Sequence, residues 1–142
     1  MKKRVMLSIC GRQAYADQDP DVIELTTEGT MELRNGGWDI SYLESDLTGL
    51  SGVTTTFRVE PEQVVLTRTG KLHSQMVFCL GQTHESLYQM EFGALMIAVT
   101  AQQVFFDITP EGGCIDLSYE IVIENSAAGA VDYHLDIRAI EE

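Results

Sequence analysis

From Ile115 to Ile123 the odd positions Ile115, Leu117, Tyr119, Ile121 and Ile123 are large and apolar, while Asp116, Ser118, Glu120 and Val122 between them are mostly polar. A repeat of two residues marks a strand with one buried face. Residues 131 to 139 continue in kind, with Val131, Tyr133, Leu135, Ile137 and Ala139 on one side and Asp132, His134, Asp136 and Arg138 on the other. Such strands belong to an antiparallel sheet with one dry and one wet face. Similar runs predict strands over 3–12, 22–34, 37–46, 53–60, 63–69, 74–81, 85–92, 94–107, 114–124 and 130–140.

The breaks between these runs carry turn chemistry. Pro20, Pro61 and Pro110 fall between strands, where a missing N–H removes no ladder hydrogen bond. Asn35-Gly36-Gly37, Thr69-Gly70-Lys71 and Glu111-Gly112-Gly113 hold residues that accept positive φ, as tight hairpins require. Residues 94–101 contain good helix formers, but Gly93, Ile97, Val99 and Thr100 favour a strand. Gly29 interrupts the second run, either as a hairpin turn or as a bulge that bends one long strand; a curled sheet favours the bend.

Eight to ten antiparallel strands must hide their edges, and an up-and-down meander does so by closing on itself. The expected fold is therefore all-β: a single domain over 1–142 forming an antiparallel up-and-down β-barrel, with a sandwich as the alternative. Runs of ten residues reach about 34 Å, longer than typical sandwich strands. With about eight strands, the barrel interior is either filled by side chains or holds one small ligand.

A chain of 142 residues, 44% of them hydrophobic, can bury a core unaided. Nine Lys and Arg against 22 Asp and Glu give a net charge of -13, which repels nucleic acid and anionic membrane surfaces. No apolar run approaches the about 18 residues of a membrane span. The segment Met6 to Cys10 is shorter than the about 7 to 15 apolar residues of an export signal. Cys10, Cys79 and Cys114 form no paired motif, which points to a reducing, cytoplasmic setting. Cys10 and Cys79, within apolar stretches, are expected to be buried as small hydrophobes, and Cys114, beside Gly112 and Gly113, to be the most exposed.

Several segments together resemble the YwiB-like family of uncharacterised bacterial β-barrels, grouped with the calycin or lipocalin-like superfamily. They are Glu24 through Gly29, Trp38-x-Ile40-x-Tyr42-x-Glu44, Thr48-Gly49-Leu50, Thr54-Thr55-x-Phe57-x-Val59, Leu66-x-Arg68-x-Gly70, Met76-x-Phe78, and Tyr88 with Gly93. In place of an expected Pro-x-Gly step after the Tyr88 strand, this chain has Glu91-Phe92-Gly93. The resemblance implies a lipocalin-like barrel of bacterial origin and supplies no catalytic residues.

No catalytic constellation stands out, and no enzyme activity is expected. There is no Gly-x-Ser-x-Gly elbow and no phosphate loop followed by lysine. His73, His84 and His134 lack ligand spacing, so no metal or other cofactor is expected. The acidic residues of 116–136 fall mostly on the wet face. Arg68 shares parity with Val64 and Leu66, so it points either inward, where Glu44 is its natural partner, or to water from a strand end. At a barrel mouth it would orient an anionic ligand. Trp38, Tyr42, Glu44, Phe57, Arg68, Met76, Phe78 and Tyr88 are thus the candidate lining of a cavity for a small apolar or amphipathic molecule. The alternative is an interaction module or homodimer with a packed core, offering Leu43, Val65, Val77 and Val122 as an external apolar patch.

Overall fold

In the computed structural model, residues 2–14, 21–44, 52–90, 93–124 and 126–140 are described. They form ten strands: β1 Lys2–Ala14, β2 Asp21–Arg34, β3 Gly37–Leu43, β4 Val53–Glu60, β5 Gln63–Gly70, β6 Ser74–Phe78, β7 Thr83–Met90, β8 Gly93–Thr109, β9 Gly112–Ile123 and β10 Ser126–Ala139. Residues 94–101 are strand, within β8. The predicted ends at 45–46, the Thr48-Gly49-Leu50 segment and the Glu91-Phe92 step lie outside the described residues.

All ten strands form one sheet in the order β6-β5-β4-β3-β2-β1-β10-β9-β8-β7, each antiparallel to its neighbours. The first and last strands pair in the middle, from Val5 opposite Ala139 to Ala14 opposite Ala130. Curling brings β6 and β7 together at a seam. There the His73 N–H donates to the Gln89 carbonyl at 2.9 Å and the Gln89 N–H donates back at 2.7 Å. The result is a nearly closed all-β barrel. The β2–β3 hairpin turns on Asn35 and Gly36, with φ of 51° and 78°, the left-handed pair that matches strand twist.

Gly29 is neither a turn nor a bulge. The β1–β2 register runs unbroken across it, with Val5 opposite Gly29. Its role is close approach: a Cβ there would lie 2.4 Å from the Ser41 carbonyl oxygen and 2.8 Å from Leu7 Cδ1. β2 also parts from β3 at this point, since Gly29 opposite Tyr42 is their last pair. A true register shift lies between Ala101 and Gln103 in β8, where the inward positions change from Ile97, Val99 and Ala101 to Val104, Phe106 and Ile108.

The inward faces build one continuous core. Val5, Leu7, Met31, Ile40, Phe57, Val64, Phe78, Ile115 and Leu135 are each at most 1% exposed. They pack the half of the barrel that holds the β2–β3 turn, the start of β1 and the end of β10. Alternation overrides local hydrophobicity outside that core. Cys10 sits with Ser8 on the outer face of β1 and is exposed rather than buried, while Cys114 is only partly exposed. The predicted outer apolar patch is not continuous either. Leu43 is exposed, but Val65 is buried on the far side of its strand and Val77 and Val122 are half-buried.

Candidate ligand-binding site

The opposite half of the barrel is not filled. A cavity of about 450 Å³ opens there, where β1 and β3 end and β2, β8 and β10 begin. One wall is aliphatic: Ile23 and Leu25 from β2, Leu95 and Ile97 from β8, and Ile121 and Ile123 from β9. Ile9 and Val131 continue that wall across the β1–β10 pair. Period-2 alternation on each of these strands aims the side chains at a common interior.

The facing wall is polar. Glu44 follows the last residue of β3, and its N–H donates to the Val53 carbonyl at 2.8 Å, which extends the inward parity of Ile40 and Tyr42. Its side chain is 2% exposed, and Thr55 Oγ1 donates to its Oε2 at 2.5 Å. Thr55 pairs directly with Arg68 across β4 and β5, so the guanidinium is carried to the same place, with Arg68 Nε 3.9 Å from Glu44 Oε2. That is an ion pair without a hydrogen bond. Arg68 Nε is buried and has no hydrogen-bond acceptor. Arg68 is the more exposed member, at 18%, and both side chains line the cavity.

Buried ion pairs contribute little to stability over apolar residues of the same size, since desolvation offsets their attraction. The Glu44–Arg68 pair thus has no ready explanation as a device of folding.

Two phenols sit beside it. Tyr42 OH lies 3.3 Å from Tyr133 OH, and the Phe57 ring, 5.5 Å from the Tyr133 ring, packs beneath them in the filled half of the barrel. Burial pushes the Tyr42 phenol up to about 12, and burial followed by the neighbouring Tyr42 holds Tyr133 well above the ordinary tyrosine value. Both stay neutral hydrogen-bonding groups near neutral pH.

Of the residues expected from sequence, Tyr42, Glu44, Arg68, Met76 and Tyr88 line this cavity. Trp38, Phe57 and Phe78 do not. They share the inward parity but lie deeper: Phe57 and Phe78 are fully buried in the packed half, Phe78 against the Tyr119 ring at 4.7 Å, and Trp38 packs half-buried at the core edge. Gly11, Gln13, Tyr119 and Tyr133 are lining residues that the sequence reading did not select. Alternation on β1, β9 and β10 was the available signal. Gly11 makes room by having no side chain.

The histidines do not converge. His134 lies on the outer face between Asp116 at Nδ1 and Asp136 at Nε2, the latter at 3.0 Å. Among the described residues no group of three His, Cys, Asp or Glu side chains is placed to hold a metal. Among the described residues no helix is long and apolar enough to cross a membrane.

Residues 7–137 match the family described as Domain of unknown function (DUF1934), and the chain belongs to that family. It is similar to the "Uncharacterized beta-barrel protein YwiB" of Bacillus subtilis (strain 168), at 27% identity over 105 residues, covering 74% of this chain and 72% of the other. The crystal structure of ywiB protein from Bacillus subtilis superposes with a TM-score of 0.88 at 21% identity, covering 99% of this chain and 94% of that one. That likeness establishes the ten-stranded barrel fold.

Proposed function

We propose that this DUF1934 protein is a non-enzymatic binder that holds one small amphipathic molecule in the unfilled half of its barrel. The observation that carries the reading is the two-sided cavity: about 450 Å³, aliphatic on one side, with the Arg68 guanidinium and the Tyr42 and Tyr133 phenols on the other. Ligand sites are of this kind, roughly 300–1,000 Å³, mostly apolar, with a few fixed polar groups. An apolar body against Ile23, Leu25, Ile121 and Ile123 and an acceptor head group at Arg68 would satisfy both walls. The alternative of an interaction module with a packed interior is disfavoured by the cavity itself. Three free cysteines support a reducing compartment such as the cytoplasm.

The test uses N-phenylnaphthylamine, an uncharged probe that fluoresces in apolar surroundings. Probe fluorescence should rise on mixing with the protein and fall again as octanol displaces it. Absence of any rise would contradict the reading.

A further inference from the structure

The arrangement of charge in the cavity wall narrows the chemistry of the head group; the argument rests on the cavity being a ligand site. Among the described residues, the titratable and charged groups that face the cavity are Tyr42 from β3, Glu44 just after it, Arg68 from β5, Tyr88 from β7, Tyr119 from β9 and Tyr133 from β10. Thr55 from β4 adds a neutral hydroxyl that holds Glu44. Among the described lining residues there is one cation, and Glu44 already lies 3.9 Å from it. The buried Nε of that cation nevertheless lacks an acceptor. The rest of the guanidinium, on a side chain 18% exposed, offers donors to an acceptor in the cavity, but the described wall has no net positive charge with which to hold a full anion.

A head group that remains ionised would place two anions on one guanidinium in a largely dry site. Like carboxylates sharing a site do not both stay ionised; the pair takes up a proton. An ammonium head group would instead meet the guanidinium as a like charge and supply no acceptor. An alcohol supplies an acceptor without charge assistance and gains less. A carboxyl group meets every condition, because it accepts from Arg68 and can share a proton with Glu44. Tyr42 and Tyr133 do not supply that proton, since burial makes both phenols hold theirs more tightly.

We infer that the cavity selects a weak acid, an amphiphile ending in a carboxyl group, and that this carboxyl and Glu44 share one solvent-derived proton beside the Arg68 guanidinium. Glu44 is then a specificity residue. It admits acids that can be protonated and rejects those that cannot, such as sulfonates.

Titration calorimetry on the intact protein near neutral pH, in phosphate and in Tris, counts protons taken up per ligand from the difference in buffer heat. Octanoate should bind with uptake of about one proton, octanol with none, and octanesulfonate more weakly than octanoate. Glu44→Gln keeps an acceptor for Thr55 and should bind octanoate with no proton uptake. Arg68→Met should lose about tenfold or more of the preference for octanoate over octanol, the share of one charge-assisted hydrogen bond. Octanoate binding without proton uptake in the unaltered protein, alongside normal octanol binding, would overturn this inference and leave the cavity reading standing. An unchanged proton count in Glu44→Gln would also overturn it. If neither octanol nor octanoate binds, the cavity reading itself fails, and the inference with it.

Discussion

Filling the cavity from Gly11 separates a ligand site from a packing defect. Gly11 lies on the inner face of β1 opposite Tyr133, and a Cβ added there would stand 3.7 Å from Tyr133 Cδ2 and 3.9 Å from Cε2, ordinary van der Waals contact. Gly11→Leu would therefore project an apolar side chain into the open half without displacing Tyr133. Burying a leucine contributes about 1.5–3 kcal/mol. Replacing glycine restricts the unfolded chain, for about 0.4–1 kcal/mol more. Fixing the new side chain costs about 0.5–1 kcal/mol. The variant should thus be more stable by roughly 1–3 kcal/mol in urea unfolding followed by the fluorescence of Trp38, the single tryptophan. Its affinity for octanol should fall at least about tenfold, as the added side chain occupies ligand space. A loss of more than about 1 kcal/mol would mean that the interior around Tyr133 is already full. Unchanged octanol binding would place the ligand elsewhere.

Three further outcomes test the fold around the site. Gly29→Ala should destabilise the protein by at least about 1–3 kcal/mol in the same urea assay, because the new Cβ meets a backbone carbonyl that cannot rotate away; a neutral result would refute the close approach of β2 and β3. Phe57→Ala should cost about 3–5 kcal/mol, as expected for a fully buried core residue and not for a mere ligand contact, which would leave the melting temperature of the free protein nearly unchanged. His134 is held in its protonated form chiefly by Asp116; burial opposes this and Asp136 adds to it, so its folded-state pKa is raised. The stabilisation it provides is fully present below its unfolded value of about 6.5 and is lost as pH rises through the folded one. The stability difference between the unaltered protein and His134→Asn should accordingly be larger at about pH 5.5 than at about pH 8.5, though small because the partners are half-exposed; the opposite trend would refute the pairing.

Strand existence was legible because alternation reports burial of one face, and on β9 and β10 that signal is nearly unbroken. The parity of Arg68 with Val64 and Leu66 was legible for the same reason, but whether its guanidinium turns in toward Glu44 or out to water from the strand end was not, because parity does not fix the path of a long side chain. Depth along the barrel was not. Tyr42 and Phe57 share the inward face, yet one borders the cavity and the other packs beneath it, because strand tilt and summed side-chain volume decide where the interior runs out. Cys10 was misread from the hydrophobicity of its neighbours, although its even number in a stripe of odd apolar residues, Val5, Leu7 and Ile9, assigns it outward. The slip in β8 left a trace that periodicity could have caught: apolar positions run 97, 99, 101 and then 104, 106, 108. Among the described residues the β6–β7 seam is joined by one bridge, between His73 and Gln89, a contact with no sequence signature.

The central claim is that the half-open barrel carries a small molecule. Native mass spectrometry of the protein recovered from the cells that make it, beside Gly11→Leu prepared in the same way, tests this most directly. The account predicts one small-molecule adduct on the unaltered chain, lost on acid denaturation, and a bare Gly11→Leu chain. An unaltered chain that is bare and also fails to take up octanoate or octanol would contradict it.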